Sequence, residues 1–227
     1  MFGWLKYNQY DKQKELASIY TVHRRVVAGG LLQKMKQTGF TLIELMVTIA
    51  IASILLMLAT ADYGPMLRAN QLTSEINQML GGLSYARTES GKLTTTVTVC
   101  SSTDGVSCNG GGLWERGWII FNDQDSDAVL DAGDGDRIQR VFPALTSGET
   151  IRRTGFSFPE GRLQFNARGE LRGSNAQPGS MIICSQTADV AEAKALVINI
   201  SGSVRKAVDE DDDGVVNQHS GGNVTCP

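Results

Sequence analysis

The feature that most constrains this chain is an apolar run from Phe40 to Ala61, 22 residues with a single ionisable group, Glu44. A bilayer core needs roughly 20 apolar residues in a helix, so a run of this length predicts a spanning helix. Its flanks orient it. Lys34 and Lys36 precede the run and Asp62 follows, which places the N-terminal end on the cytoplasmic side. Glu44 lies four residues beyond Phe40, inside the block. A carboxylate at mid-membrane depth costs roughly 2.5–3.5 kcal/mol on insertion scales, so it demands a partner or a role.

Lys34-Met35-Lys36-Gln37-Thr38-Gly39 followed by Phe40-Thr41-Leu42-Ile43-Glu44-Leu45 resembles the type IV prepilin processing site. The resemblance implies that a membrane prepilin peptidase cuts after Gly39 and that the new N-terminal residue, Phe40, is N-methylated. It also implies that Glu44 pairs with the mature N-terminal amine of a neighbouring subunit. Opposite charges in a low-dielectric bundle are tolerable together and costly apart. The alternative is Glu44 reaching the headgroups near the helix start, helped by the helix dipole. Residues 1–39 read as the leader. A secretory signal would carry its apolar region before the cut, whereas here the run stays with the mature chain. Met35–Gly39 alone would make a complete short basic leader, so residues 35–39 are expected to be its genuine part, with translation starting at Met35.

Charge is split along the sequence. Residues 1–39 hold seven Lys or Arg against Asp11 and Glu15, a balance of +5, while the whole chain carries −3; the remainder therefore carries −8. An acidic exported part argues against general attraction to nucleic acid. Cys100, Cys108, Cys184 and Cys226 all follow the apolar run, on the side expected to face an oxidising compartment. Four cysteines allow three connectivities. Spacing favours Cys100–Cys108 as a local closure and Cys184–Cys226 as a clasp on the C-terminal tail. A zinc site competes weakly, since Cys-x-x-Cys is missing and the only histidine downstream is His219.

Beyond the run, Gly64-Pro65 is able to kink or interrupt a helix. Leu72, Ile76, Met79, Leu80 and Leu83 then form one apolar stripe of an amphipathic helix over residues 62–91, with Gly91 as its cap. Whether this helix continues the spanning one or stands apart is open. Gly81-Gly82 weaken it and suit a close approach. From residue 92 the period becomes two, and residues 92–227 read as a β-rich head. Strands are expected over 93–100, 118–121, 137–142, 156–158, 162–165, 181–184, 196–200 and 203–208, with a hairpin turn at Asn166–Gly169. The fold class is α+β: a long N-terminal helix, half membrane and half amphipathic, packed on an antiparallel sheet or small sandwich.

The head adds to the resemblance. Val97-Thr98-Val99-Cys100, Trp114-Glu115-Arg116-Gly117-Trp118-Ile119-Ile120-Phe121 with the Asp-rich loop behind it, and the terminal Cys226-Pro227 are similar to the FimT/GspH family of minor pilins and pseudopilins. That family implies a type IV pilin-like fold. The implied function is that of a minor pilin taking part in filament initiation or a tip complex. Its partners would be prepilin peptidase, other pilins or pseudopilins and the inner membrane, with the head in the periplasm and later at the cell surface. A type II secretion pseudopilin shares the leader and fold. A DNA-binding minor pilin is a further alternative, because some FimT-like proteins use a Gly-Arg-x-Arg motif. The matching segment here is Gly202-Ser203-Val204-Arg205, in which Ser203 replaces the first arginine, Arg205 and Lys206 remain, and Asp209–Asp213 follow.

Two segments imitate the start of a calcium loop. Asp123-x-Asp125-x-Asp127 lacks the glycine at its sixth position, and Asp209-x-Asp211-x-Asp213-Gly214 has Ser220 at its twelfth. Both read as solvated hairpin tips, with no metal expected. Nucleophile-elbow, P-loop and metalloprotease spacings are missing, so neither an enzyme nor a cofactor is expected. Trp114 and Trp118 read as core or strand-edge aromatics.

Overall fold

The computed structural model describes residues 39–59, 63–159, 161–173 and 175–227. Residues 1–38, and with them the expected start at Met35, lie outside the described residues, as do Thr60, Ala61 and Asp62. The chain divides at Ala61/Asp62 into two units.

The first unit contains helix α1, Leu42–Ala59. Its 18 residues rise about 27 Å, just short of the roughly 30 Å of a bilayer core. Among the described residues no helix is long and apolar enough to cross a membrane.

The second unit opens with helix α2, Gly64–Leu93, which has Pro65 in its first turn, where a missing N–H costs nothing. The helix runs past Gly91, the expected cap. Thr94 takes the left-handed position instead, at φ 52°. Leu72, Ile76, Met79, Leu83 and Ala86 are buried along one face, and Leu80 is half-buried at its edge.

Eight strands follow: β1 Thr96–Ser101, β2 Trp118–Asp123, β3 Arg137–Phe142, β4 Thr150–Thr154, β5 Arg162–Phe165, β6 Gly179–Cys184, β7 Lys194–Ile198 and β8 Val204–Lys206. They form two four-stranded sheets in the orders β3-β2-β1-β5 and β4-β6-β7-β8, with every pairing antiparallel. The expected strand at 156–158 is not formed. The paired segment is β4, just upstream, whose Ile151 is its one fully buried apolar residue between polar neighbours. Phe156 and Phe158 instead pack, partly buried, against the core.

The main core joins the stripe of α2 to one face of each sheet: Val97, Val99, Ile120, Leu163 and Phe165 from the first, Ile151, Met181, Ile183, Leu196 and Ile198 from the second. Trp114 and Trp118 belong to this core. The outer sheet faces are also covered. Over the first sheet, Cys108 and Leu130 pack on Cys100, Ile119 and Phe121. Over the second, Val215, Val216 and Cys226 pack with Val224 on Ile182, Cys184 and Ala195. This double coverage explains why β1, β2 and β6 are buried along their whole length rather than alternately. The disulfides Cys100–Cys108 and Cys184–Cys226 each tie a strand to the segment covering it.

Candidate functional site

The processing motif lies at the head of α1. Gly39 and Phe40 precede the helix, and Phe40 is 81% exposed. Thr41 is the cap: its Oγ1 accepts the Glu44 N–H at 3.2 Å. Thr-x-x-Glu at a helix start is the sequence of a capping box. The spacing that suggested assembly thus has a local role too, legible in the sequence and missed there. The Glu44 carboxylate also sits in the first turn, where the helix dipole favours negative charge.

The rest of α1 has one chemistry. Thr48 Oγ1 donates to the Leu45 carbonyl and Ser53 Oγ to the Ala50 carbonyl, so the hydroxyls are satisfied within the helix. Leu42, Ile43, Ile49, Ile54 and Leu56 are each at least 60% exposed. An apolar surface this continuous marks a membrane or protein contact.

The acidic segments differ from one another. Asp123 is not at a solvated tip. It closes β2 and is wholly buried. Its Oδ2 accepts from Thr98 Oγ1 at 2.6 Å, Gln164 Nε2 at 2.9 Å and the Ala128 N–H at 3.0 Å, drawing β1, β2, β5 and the following loop together. Its Oδ1 is buried without a partner. Asp136 braces the same loop, accepting from the Gln124 and Asp131 N–H groups. The Asp134 carboxyl is held above the ordinary carboxylate range, chiefly by the charge of Asp131 and then that of Asp125. In the C-terminal segment Asp209 is partly exposed and Asp211 and Asp213 are exposed, and Asp209 caps the Asp213 and Gly214 N–H groups. The N–H of Gly214 most strongly, and then hydrogen bonds from Asp211 and the Asp213 N–H, hold the Asp209 carboxyl below its ordinary value against a smaller opposing effect of burial.

Arg205 and Lys206 lie on β8, and Arg205 is 3.9 Å from Glu210. Gly202, read from sequence as part of a basic motif, has a structural reason of its own. It sits at φ +74°, and a Cβ there would overlap the Gly169 carbonyl oxygen. Other arginines of the head are each engaged with a separate partner. Arg152 pairs with Glu115 at 2.6 Å, Arg140 lies over the Tyr85 ring, and Arg172 donates to the Ser126 carbonyl.

The family model described as Type II transport protein GspH matches residues 75–203. The chain belongs to the GspH family. A second model, the prokaryotic N-terminal methylation motif, matches residues 34–60 and so contains Gly39, Phe40 and Glu44. Among curated proteins no match is found. Similar solved structures include the type IV minor pilin FimU of Pseudomonas aeruginosa in two crystal forms. They are 18% identical, with TM-scores of 0.48 and 0.43, covering 61% and 63% of this chain and 90% and 92% of theirs. The minor pseudopilin EpsH of the type 2 secretion system of Vibrio cholerae is 13% identical, with a TM-score of 0.41, covering 59% of this chain and 94% of that one. This GspH-family chain thus carries a methylation motif ahead of its family domain.

Proposed function

We propose that the chain is a minor type IV pilin, cut after Gly39, N-methylated on Phe40 and built into the initiating or tip complex of a filament. The observation that carries this reading is the union, in one chain, of the methylation motif over residues 34–60 and the GspH domain over 75–203. The largely apolar surface of α1, with Glu44 its one ionisable residue, supports an anchor that later becomes an assembly surface. Two disulfides suit a head in an oxidising compartment. Glu44 is the residue assigned to pairing with a neighbour's N-terminal amine. The test is co-expression with a prepilin peptidase, followed by intact-mass measurement and isolation of filaments. The expected product begins at methylated Phe40 and appears in filaments in small amounts. An uncut chain overturns the reading.

A type II secretion pseudopilin is the second reading, favoured by the description of the matching family. Deletion separates the two. Loss of surface filaments supports the pilus, whereas secreted proteins retained in the periplasm support the secretion system.

A further inference from the structure

We propose that the end of β2 and the loop after it form a calcium site built from Asp123, Asp125 and Asp127. One carboxylate oxygen from each of these residues lies within 4.8 Å of the other two. Calcium binds oxygen at about 2.3–2.6 Å, so ligands on opposite sides of one ion are about 4.6–5.2 Å apart. The three oxygens therefore fit inside a single coordination sphere. An all-oxygen, all-carboxylate set favours a hard cation over zinc or copper.

The decisive feature is the buried oxygen. Asp123 is wholly buried, and its Oδ2 already accepts three hydrogen bonds. Its Oδ1 has neither solvent nor a donor. A buried carboxylate oxygen left unmatched is costly, and a cation is the group that would match it. No described ion pair supplies one. Arg172, the nearby cation of the network, donates to the Ser126 carbonyl and Gln164 Oε1 rather than to Asp123. Asp125 and Asp127 each commit Oδ1 to a loop N–H, that of Asp127 and that of Val129 respectively. Both side chains are exposed, so water completes the shell from the solvent side.

The C-terminal Asp209, Asp211 and Asp213 have the same spacing but contain no buried orphan oxygen, which makes them an internal control. Calcium at the β2 site would tie the loop to the sheet end. Leu130, seven residues beyond Asp123, covers the outer face of that sheet. With three protein carboxylates and several waters, affinity falls in the weak class, a Kd of about 10⁻⁴–10⁻³ M.

The test uses the full processed chain in detergent micelles, titrated with calcium by calorimetry and followed by thermal unfolding. One ion is expected to bind per chain and to raise the unfolding midpoint as its concentration passes the Kd. Asp125→Asn and Asp127→Asn, both exposed and so expected to fold, should each weaken binding about tenfold or more. Asp211→Asn should leave it unchanged. Lack of any calcium effect at concentrations well above 10⁻³ M overturns the site. So does binding lost in Asp211→Asn but kept in Asp125→Asn, and magnesium binding as tight as calcium overturns the ion assignment.

Discussion

Gly82 of α2 lies directly against the indole of Trp118 at the start of β2: a Cβ at Gly82 would overlap the far edge of that ring. The indole cannot swing aside freely. It is 2% exposed and stacks on Phe142 with ring centroids 3.5 Å apart and planes 5° from parallel. Gly81, the neighbour on the helix, has nothing within 4 Å of the same added atom. One glycine therefore sets the distance between helix and sheet, and the other is free of contact.

This asymmetry gives a paired prediction. Gly82→Ala is expected to destabilise the head by about 1–3 kcal/mol through overpacking. Gly81→Ala is expected to stabilise it by up to about 1 kcal/mol, because alanine is the better helix former and meets nothing. Denaturant unfolding monitored by tryptophan fluorescence checks both. Equal effects would mean that the close approach is unimportant.

Glu44 stands in the capping turn of α1 and is also the residue proposed to pair with a neighbour's amine, and a pair of variants divides the two. Glu44→Gln keeps a side chain suited to the capping box but removes the charge. It is expected to be cut normally yet to enter filaments at least about tenfold less, since breaking a buried ion pair costs about 3–5 kcal/mol. Thr41→Val removes the cap, worth about 1 kcal/mol, and leaves the charge. Its cleaved form is expected to incorporate nearly as well as the parent. Quantitative immunoblots of membrane and filament fractions read both, and normal incorporation of Glu44→Gln removes the pairing model.

The disulfides differ in reach. Cys184–Cys226 spans 42 residues and Cys100–Cys108 spans 8. Loop-closure entropy assigns about 4 kcal/mol to the first and about 2.5 kcal/mol to the second. Replacing Cys184 and Cys226 together by Ala is expected to cost more than replacing the other pair and to free the tail from the second sheet. Limited proteolysis would show this as earlier cleavage within residues 208–227.

Glu75 supplies a pH dependence. Partial burial first, and the charge of Glu149 second, raise its carboxyl pKa above 4.5. A raised folded-state pKa means that the folded protein binds the proton more tightly than the unfolded chain. This contribution is fully present below the unfolded value and is lost as pH rises through the folded one. Glu75→Gln is therefore expected to raise the melting midpoint at neutral pH and to flatten its decline just above pH 4.5. Parallel melting curves for parent and variant across that window would show no difference if Glu75 were unperturbed.

Legibility followed the range of the interaction. The stripe Leu72, Ile76, Met79 and Leu83 was readable because helical burial repeats within a few residues, and β3 and β5 because their bounding turns are local. Strand β4 was not, since its partner β6 lies nearly thirty residues downstream and Ile151 is its single fully buried apolar contact. The capping box at Thr41 was available in the sequence, but the reading of Glu44 as an assembly residue took precedence.

The sequence by itself determined the pattern at the N-terminus: a methylation motif around Gly39 and Phe40, one carboxylate and an apolar helix, all written in consecutive residues. Only the tertiary structure decided that Asp123 is a buried strut with a free oxygen rather than a solvated tip. Its environment is assembled from Thr98, Gln164 and Ala128, drawn from two other strands and a loop. Only the fold decided, too, that Gly202 serves a close backbone approach to Gly169. Burial and close backbone approach are created by segments far apart in the chain, and no local pattern encodes them.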